Sequence, residues 1–440
     1  MKKILILGAG FVSRPGVRYL LNSSNLFVTV ADMFINKAKR LVEGFENGKA
    51  VALDINNFDS LDLLIKENDV VVSLLPWTLH PKVAKLCVKN GKNMATTSYV
   101  SEEMRELDSQ VRDKGLLFVN EIGVDPGIDH MSAKKIIDEV ESEGGKIVEF
   151  YSYCGGLPAP EDNNNPFGYK FSWSPKGVVL ASRNPARFLE NGKIVNIPGE
   201  ELFLNYRDEQ VEELGDFEVY PNRDSIIYKE IYGLKDVQTL IRGTYRYPGW
   251  CKTFKLINDI GLLSDSETVG ISKIPYGNMM SKLLGVEEIS DLEKEISKRF
   301  GIPSDSEQIA RLKWLGLFGE DLTPEFNNYL DILSELLQKK LYYEDNEKDM
   351  ILMKHTLKVL NGDGTYDRIT STLINYGISG GDSSMSRTVS LPLAICVKMM
   401  AEGEIDLVGV HIPVTKLIYS PVLEELERLG IKMIEKRTSL

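Results

Sequence analysis

The sequence predicts an α/β protein built on a doubly wound parallel sheet, with a second mixed α/β domain and a helical insert. Three observations carry that reading. Strand-like and helix-like segments alternate over about the first 125 residues, the pattern of a parallel sheet covered by helices. The run Gly8-Ala9-Gly10-Phe11-Val12-Ser13 follows the first strand pattern and opens the first helix pattern. The second strand pattern then ends on an acid, Asp32.

Taken in order, KKILILG is a short apolar strand, Val12 to Leu21 reads as helix, and LFVTVAD is the second strand. Lys37 to Phe45 is helical in pattern, KAVALDI is a third strand reaching Asp54 and Ile55, and Leu61 to Lys66 is a further helix. DVVVSLLP is continuously apolar, as suits a strand buried on both faces. HPKVAKLCVKNG (helix), NMATT (strand), SEEMRELDSQVRDKG (helix) and LLFVNEIG (strand) complete the alternation. Past Asp129 the pattern changes. KIVEFYSYCGG reads as a strand entering the Pro- and Asn-rich loop LPAPEDNNNPFGY, an exposed excursion. KIVNIP, FEVYPN and TLIRGTYRY are strand-like and point to a second, mixed sheet. SDLEKEISKRF, SEQIARLKWLGLF and NNYLDILSELLQKKL carry the i, i+3, i+4 spacing of helices. DMILMKHTLKVL and DRITSTLINYG pattern as hairpin strands, and SLPLAICVKMMAEG as a helix ending at Gly403. GVHIP and PVLEELERLGIK close the chain.

Composition removes several function classes. A chain of 440 residues is too long for one ordinary core, so two or three domains are expected. The net charge of -12 argues against a nucleic-acid or acidic-membrane partner. An anionic small ligand would need a local cluster of Arg or Lys. No apolar run reaches the ~20 residues of a membrane span. Met1-Lys2-Lys3 runs straight into a strand, so no signal peptide is expected. Cys87, Cys154, Cys251 and Cys396 are isolated, which fits a reducing cytoplasm and leaves no Cys-x-x-Cys site. The histidines are equally scattered and give no metal signature.

The loop at Gly8 is the strongest motif. A Gly-rich turn between strand and helix binds pyrophosphate because backbone N–H groups and the helix N-terminus point at it. In G-x-G-x-x-G the first glycine turns the chain, the second admits the pyrophosphate, and the third packs helix against strand. Only the third role falls on a substitute, Ser13, which is small and carries a hydroxyl that can donate to a phosphate. Pro15 sits in the first helical turn, where a missing N–H costs nothing. Asp32 is placed to accept from the adenosine ribose hydroxyls and to repel a 2′-phosphate, which favours NAD. Lys37, Lys39 and Arg40 follow closely and can still meet a phosphate, so the cofactor is read as NAD or NADP. A domain whose loop merely turns is the bland alternative; loop, context and acid agree against it.

Ligands of such sheets lie beyond the carboxyl ends of the strands. LLPWTLH, TTSYVS, NEIGVDPGIDH and YCGGLPAP fall there. Leu75 is expected to meet the cofactor by backbone and shape, whereas His80, opening a helix, reads as a local structural residue. Ser101 and Glu103 read as helix capping. That does not account for Thr97, Ser98 and Tyr99 at the strand tip. Asp125, before Pro126, is either a turn residue or a site group, and spacing leaves both open. VYPNRDS and LIRGTYRYPGW embed Arg223 and Arg242 among short polar residues, forks suited to carboxylates. Surface ion pairing is the plain alternative for either arginine.

At this point GAGFVSRP, LLPWTLH, TTSYVS, NEIGVDPGIDH, CGGLPAPEDNNNPFGYKFSWSPKGV, YPNRDS, RGTYRYPG and MSRTVSLPLA together resemble the saccharopine reductases, the glutamate-forming saccharopine dehydrogenases. The resemblance runs from residue 1 to about 430, in blocks whose order and length carry its weight. It implies reduction, by a nicotinamide cofactor, of the imine formed between glutamate and 2-aminoadipate 6-semialdehyde, or the reverse oxidation. It implies Asp125, Tyr99 and Cys154 as the polar groups near the reacting carbon, Asp125 orienting the amine or moving protons. A buried cysteine such as Cys154 is more often just small and apolar. The implied substrate neighbours are Ser98, Tyr99, Asp125, Phe171, Trp173, Asn222, Arg223, Arg242, Thr244 and Tyr245. On the cofactor side stand Gly8, Gly10, Phe11, Val12, Ser13, Asp32, Asp54, Ile55, Leu75, Thr97, Ser98, Val124 and Asp125. No metal is implied. The implied architecture is a split Rossmann domain, 1–128 with 391–440. Around it come a mixed α/β substrate-binding and dimerisation domain, 129–248 with 346–390, and a helical insert, 249–345. A homodimer, formed through the second domain, follows from the same resemblance, and the isolated cysteines place it in the cytoplasm. One departure stands out: many relatives carry a Cys-Arg pair suited to NADP where this chain has Asp32-Met33. Two rival readings are a related imine-reducing dehydrogenase, for carboxynorspermidine or lysine, and a catalytically silent NAD(H) sensor.

Overall fold

The structure, a computed structural model, describes residues 1–440. Packing divides the chain into two compact units, 1–147 with 359–440, and 148–358. No helix is long and apolar enough to cross a membrane.

The first unit is built on seven strands. In chain order they are β1 (Lys2–Leu7), β2 (Leu26–Asp32), β3 (Gly48–Ala52), β4 (Val70–Ser73), β5 (Asn93–Ala95), β6 (Leu117–Val119) and a late strand, Gly409–His411. Across the sheet they run Gly409–His411, β6, β5, β4, β1, β2, β3, and every neighbouring pair is parallel. The order reverses between β1 and β4, so the carboxyl ends of these two strands flank the topological switch where such sheets bind ligands. The central strands are largely apolar: Ile4 to Leu7 and all of β4, Ser73 included, are buried, as a sheet covered on both faces requires. Helix α1 (Arg14–Leu21) follows β1 and buries Pro15, Gly16, Val17, Leu20 and Leu21.

The expected boundaries shift. Helix Ile128–Ser142 belongs to the first unit, where Tyr419 of helix Lys416–Arg428 donates to Asp138 Oδ2 at 2.6 Å. Strand Tyr366–Tyr376 also lies there, paired antiparallel with Ile434–Ser439. That last strand escaped the sequence reading because all six of its residues are exposed, so no alternation marks it. The second unit carries the mixed sheet, in the order Arg207–Val211, Gly215–Pro221, Thr239–Arg246, Lys146–Pro158, Asp349–Leu360. A hairpin, Ala186–Glu190 with Lys193–Ile197, attaches through Leu189 to Leu240. The helices expected as an insert, from Trp250–Ile260 to Tyr329–Lys340, pack inside this unit.

Candidate active site

The glycine loop is shaped by its neighbours. Gly8 takes a left-handed φ of 107°, and a Cβ there would stand 3.0 Å from the Leu74 carbonyl oxygen. Gly10 is exposed, and a Cβ on it would meet nothing within 4 Å. The N–H groups of Gly10, Phe11 and Val12 have no hydrogen-bond acceptor in the protein. Three donors beside open space fit a pyrophosphate. Asp32 closes the far side: Oδ2 accepts from the Ala9 N–H at 2.8 Å and Oδ1 from the Phe34 N–H at 2.8 Å. A carboxylate has about four acceptor sites, so two remain for ribose hydroxyls.

Ser13 requires a correction. It is fully buried, and its hydroxyl donates to the Gly10 carbonyl at 2.8 Å. It braces the loop from within and does not reach toward a phosphate. Close approach of α1 has moved one turn along, to Gly16. A Cβ there would fall 2.6 Å from the Ser390 carbonyl oxygen, and the Gly16 N–H donates to Ser390 Oγ at 2.9 Å. Of the other expected cofactor neighbours, Phe11 and Asp54 are exposed, and Val12, Ile55 and Leu75 are half-buried. The Asp54 carboxylate caps its own turn through the Asn56 N–H. Thr97 lies against Gly123, where a Cβ would come 3.1 Å from the threonine Cβ, and Val124 is buried.

Beyond β5 the strand tip and the 123–127 loop come together. Tyr99 donates its hydroxyl to Asp125 Oδ1 at 3.2 Å. Behind this pair lies a buried network that the sequence reading did not single out. Glu121 accepts the Val100 N–H through Oε1 at 3.0 Å and donates its own N–H to the Ser98 carbonyl at 3.1 Å. Its Oε2 lies 2.8 Å from His130 Nε2. His130 Nδ1 stands 3.6 Å from Asp129 Oδ2, and Asp129 Oδ1 accepts the Gly127 N–H at 2.5 Å. One set of buried polar groups therefore holds both segments that present Tyr99 and Asp125. Glu121 does so at a left-handed φ of 58°, a strained backbone of the kind found at working sites. Both residues lie in NEIGVDPGIDH; only the fold reveals that they touch. A separate cavity of about 590 Å³ in this unit, lined among others by Lys135, Asp138, Tyr419 and Glu435, contains none of these groups. Several of its charges are paired with one another, as Lys135 with Glu435 at 3.0 Å.

His80 sits between β4 and β5. Its Nδ1 is 2.8 Å from Ser73 Oγ; its Nε2 is 2.8 Å from Ser98 Oγ and 3.3 Å from Thr96 Oγ1. Burial, with no carboxylate beside it, pulls its pKa down to about 4 from the ordinary 6.5. The unfolded chain thus takes up a proton between these values that the folded protein refuses. Stability is full above about pH 6.5 and falls by about 3 kcal/mol as pH drops to 4. Urea unfolding of the native protein and of His80→Gln at pH 7 and pH 4 checks this. The variant should lose less stability over that interval, and equal losses would remove the assignment.

In the second unit, strand Thr239–Arg246 pairs parallel with Lys146–Pro158, setting Arg242 beside Ser152 and Thr244 beside Cys154. Cys154 is buried, with Phe171 and Trp173 half-buried in the following loop. Arg242 is buried, its guanidinium 4.4 Å above the Tyr228 ring. Its carbonyl accepts the Asn222 N–H at 2.8 Å, which ties the Asn222-Arg223 turn to it. Arg223 is exposed, at a left-handed φ of 53°. Strand alternation puts Arg242, Thr244 and Arg246 on one face and Tyr245 on the other. This corrects Tyr245. It is fully buried between Tyr153 and Phe217, at ring distances of 5.8 and 5.7 Å, and cannot stand beside Arg242. Arg246, not singled out from sequence, shares the arginine face. Its guanidinium is buried 4.8 Å from the Tyr169 ring and 5.1 Å from that of Trp250, with Nε unpartnered. The spacing in IRGTYR carried that signal.

Fold and loop define a dinucleotide-binding α/β protein with a second, arginine-bearing mixed sheet. Residues 4–119 match the saccharopine dehydrogenase NADP binding domain and residues 123–431 the saccharopine dehydrogenase C-terminal domain. The chain belongs to the saccharopine dehydrogenase family. It is 41% identical over 445 residues to "Saccharopine dehydrogenase [NADP(+), L-glutamate-forming]" of Pyricularia oryzae, covering 99% of both chains. It is 39% identical to the mitochondrial alpha-aminoadipic semialdehyde synthase of Mus musculus, over 98% of this chain but 47% of that protein. Apo saccharopine dehydrogenase (L-Glu forming) from Saccharomyces cerevisiae superposes with a TM-score of 0.91, at 38% identity and over 100% of both chains.

Proposed function

We propose that the protein interconverts saccharopine with L-glutamate and 2-aminoadipate 6-semialdehyde, an oxidoreduction at a CH–NH bond using NAD(P). The observation that carries this is the Tyr99–Asp125 hydrogen bond at the carboxyl edge of the dinucleotide sheet. Membership of the family supports it.

When bound, the nicotinamide supplies or accepts the hydride. The loop N–H groups of Gly10, Phe11 and Val12 and the Asp32 carboxylate hold the dinucleotide. Hydride adds well only to a cationic imine, so the site must move protons and hold the carbinolamine for loss of water. Asp125 orients the amine and shuttles the proton, with Tyr99 donating to its carboxylate. Saccharopine carries three carboxylates; Arg223 and Arg242 meet them as bidentate forks, with Ser98, Phe171, Trp173, Asn222 and Thr244 around them.

NAD is the favoured form, although the curated relatives are named for NADP(+). Asp32 places a negative charge where a 2′-phosphate would sit, and like charges set together cost several kcal/mol. The first four-residue stretch after it, Met33 to Ile35 with Asn36, adds no cation. The test is direct: purified protein with saccharopine and each dinucleotide, followed at the nicotinamide absorbance. Turnover with saccharopine is expected, with kcat/KM for NAD about 10-fold or more above that for NADP. Turnover of carboxynorspermidine but not saccharopine would sink the substrate assignment, and a preference for NADP would sink the reading of Asp32. A cytoplasmic homodimer belongs to the same proposal. Four buried cysteines, none of them in a disulfide, support the reducing compartment, and sedimentation measures the oligomer.

A further inference from the structure

We propose that His80 sets the direction of the Ser98 hydroxyl, turning that hydroxyl into a hydrogen-bond donor for a carboxylate of the substrate. The inference rests on the reading that Ser98 contacts the substrate, and adds to it a positioning residue and a defined proton arrangement.

The argument follows the protons through Ser73, His80 and Ser98. Ser73 is fully buried at the end of β4, and its hydroxyl has one partner, His80 Nδ1, at 2.8 Å. A buried hydroxyl whose proton finds no acceptor loses about as much as any unmade hydrogen bond, roughly 1–3 kcal/mol. Thr96 is buried as well, but its Oγ1 stands 3.3 Å from Nε2 against 2.8 Å for Ser73 and Nδ1, so the shorter contact decides: Ser73 donates to Nδ1, the bare nitrogen. In a neutral imidazole the proton is then on Nε2. Burial keeps the ring neutral, and no carboxylate touches it. The Nε2–H is directed at Ser98 Oγ, 2.8 Å away, with Thr96 Oγ1 a weaker second acceptor at 3.3 Å. Ser98 Oγ, having accepted from the histidine, keeps its own proton, and no group in the protein takes it. That proton is left for a ligand.

The opposite tautomer gives a different site. With the proton on Nδ1, Ser98 would donate to Nε2 and offer only lone pairs outward, which repel a carboxylate. A single buried ring thus decides whether a half-buried serine greets an anion or rejects it. Ser98 lies one residue from Tyr99, so an oxygen it holds is placed next to the Tyr99–Asp125 pair. His80, read from sequence as a local structural residue, acts here through Ser98 without touching substrate.

Two measurements test the proposal. Nitrogen-15 labelling of the four histidines distinguishes the tautomers in the unmodified protein by two-bond correlation spectra. His80 is expected as the Nε2–H form; an Nδ1–H form, or a mixture, overturns the proposal. The second measurement is kinetic. Ser98→Ala should raise the KM for saccharopine about 10-fold or more, the worth of one hydrogen bond to a charged group. His80→Phe should raise it by a similar factor, with a much smaller change in kcat. His80→Gln, which keeps an N–H donor on a side chain of comparable reach, should recover most of the loss. In the Ser98→Ala background, His80→Phe should add nothing further. Additive effects of the two substitutions overturn the relay. An unchanged KM in Ser98→Ala overturns its premise, the substrate contact, whatever the tautomer. Those two failures are separable, because the spectrum reports the ring without any substrate.

Discussion

Asp125→Ala should lower kcat for saccharopine by about 10²–10⁴-fold, the range of a positioned proton-transfer group. The carboxylate is half-buried and accepts from the Tyr99 hydroxyl, so its loss removes both a proton acceptor and the partner that fixes Tyr99. Asp125→Asn separates these roles. The amide keeps the shape and can still accept from Tyr99, but it cannot take a proton at neutral pH. It should therefore fall nearly as far as Ala. Tyr99→Phe deletes one neutral-to-charged hydrogen bond and should cost about 10-fold. Native-like kcat in Asp125→Asn would show that this carboxylate only shapes the turn before Pro126, the other role its spacing allowed.

The parts of this site legible in the sequence are the local ones. The first strand, glycine loop, helix and Asp32 lie within 32 residues, and each announces itself by apolar runs or small residues. Gly403 indeed ends its helix in a left-handed cap, φ 76°, and Ser101 caps the helix at Glu102 through the Met104 N–H. What escaped depends on distant chain. The tight contact of Gly16 is with Ser390, 374 residues away, so Ser13 was credited with a role that the fold gives elsewhere. His80 looked isolated because Ser73, Thr96 and Ser98 reach it from other strand ends. Glu121 and His130 were in a stretch already marked as important, yet a pair nine residues apart across a sharp loop has no periodicity to expose it. Tyr245 is a different kind of miss. Strand alternation was available to separate it from Arg242 and to add Arg246, and motif-level grouping overrode it.

Arg242→Ala should raise the KM for saccharopine by an amount worth on the order of 2–5 kcal/mol, roughly 30-fold to several thousandfold, because a desolvated carboxylate is left without its partner. Arg242 is the stronger of the two arginines on physical grounds. It is only 3% exposed and stacked on Tyr228, so its charge acts in a poorly screened setting. Arg223 is exposed, and salt screens it. Arg223→Ala should therefore show the smaller rise, and one that shrinks further as ionic strength increases. Arg242→Lys should not rescue: an ammonium cannot reproduce the planar fork, nor stack on the tyrosine in the same way. Most of each effect should fall on KM, since a carboxylate remote from the reacting carbon is held about equally in ground and transition states. Circular dichroism melts of the variants guard against simple loss of fold, which the buried position of Arg242 makes necessary. A folded Arg242→Ala enzyme with an unchanged saccharopine KM would remove the arginine from the substrate site. The buried guanidinium would then be a structural partner of Tyr228, and the carboxylates would have to be sought at Arg246, the other buried arginine on the same strand face.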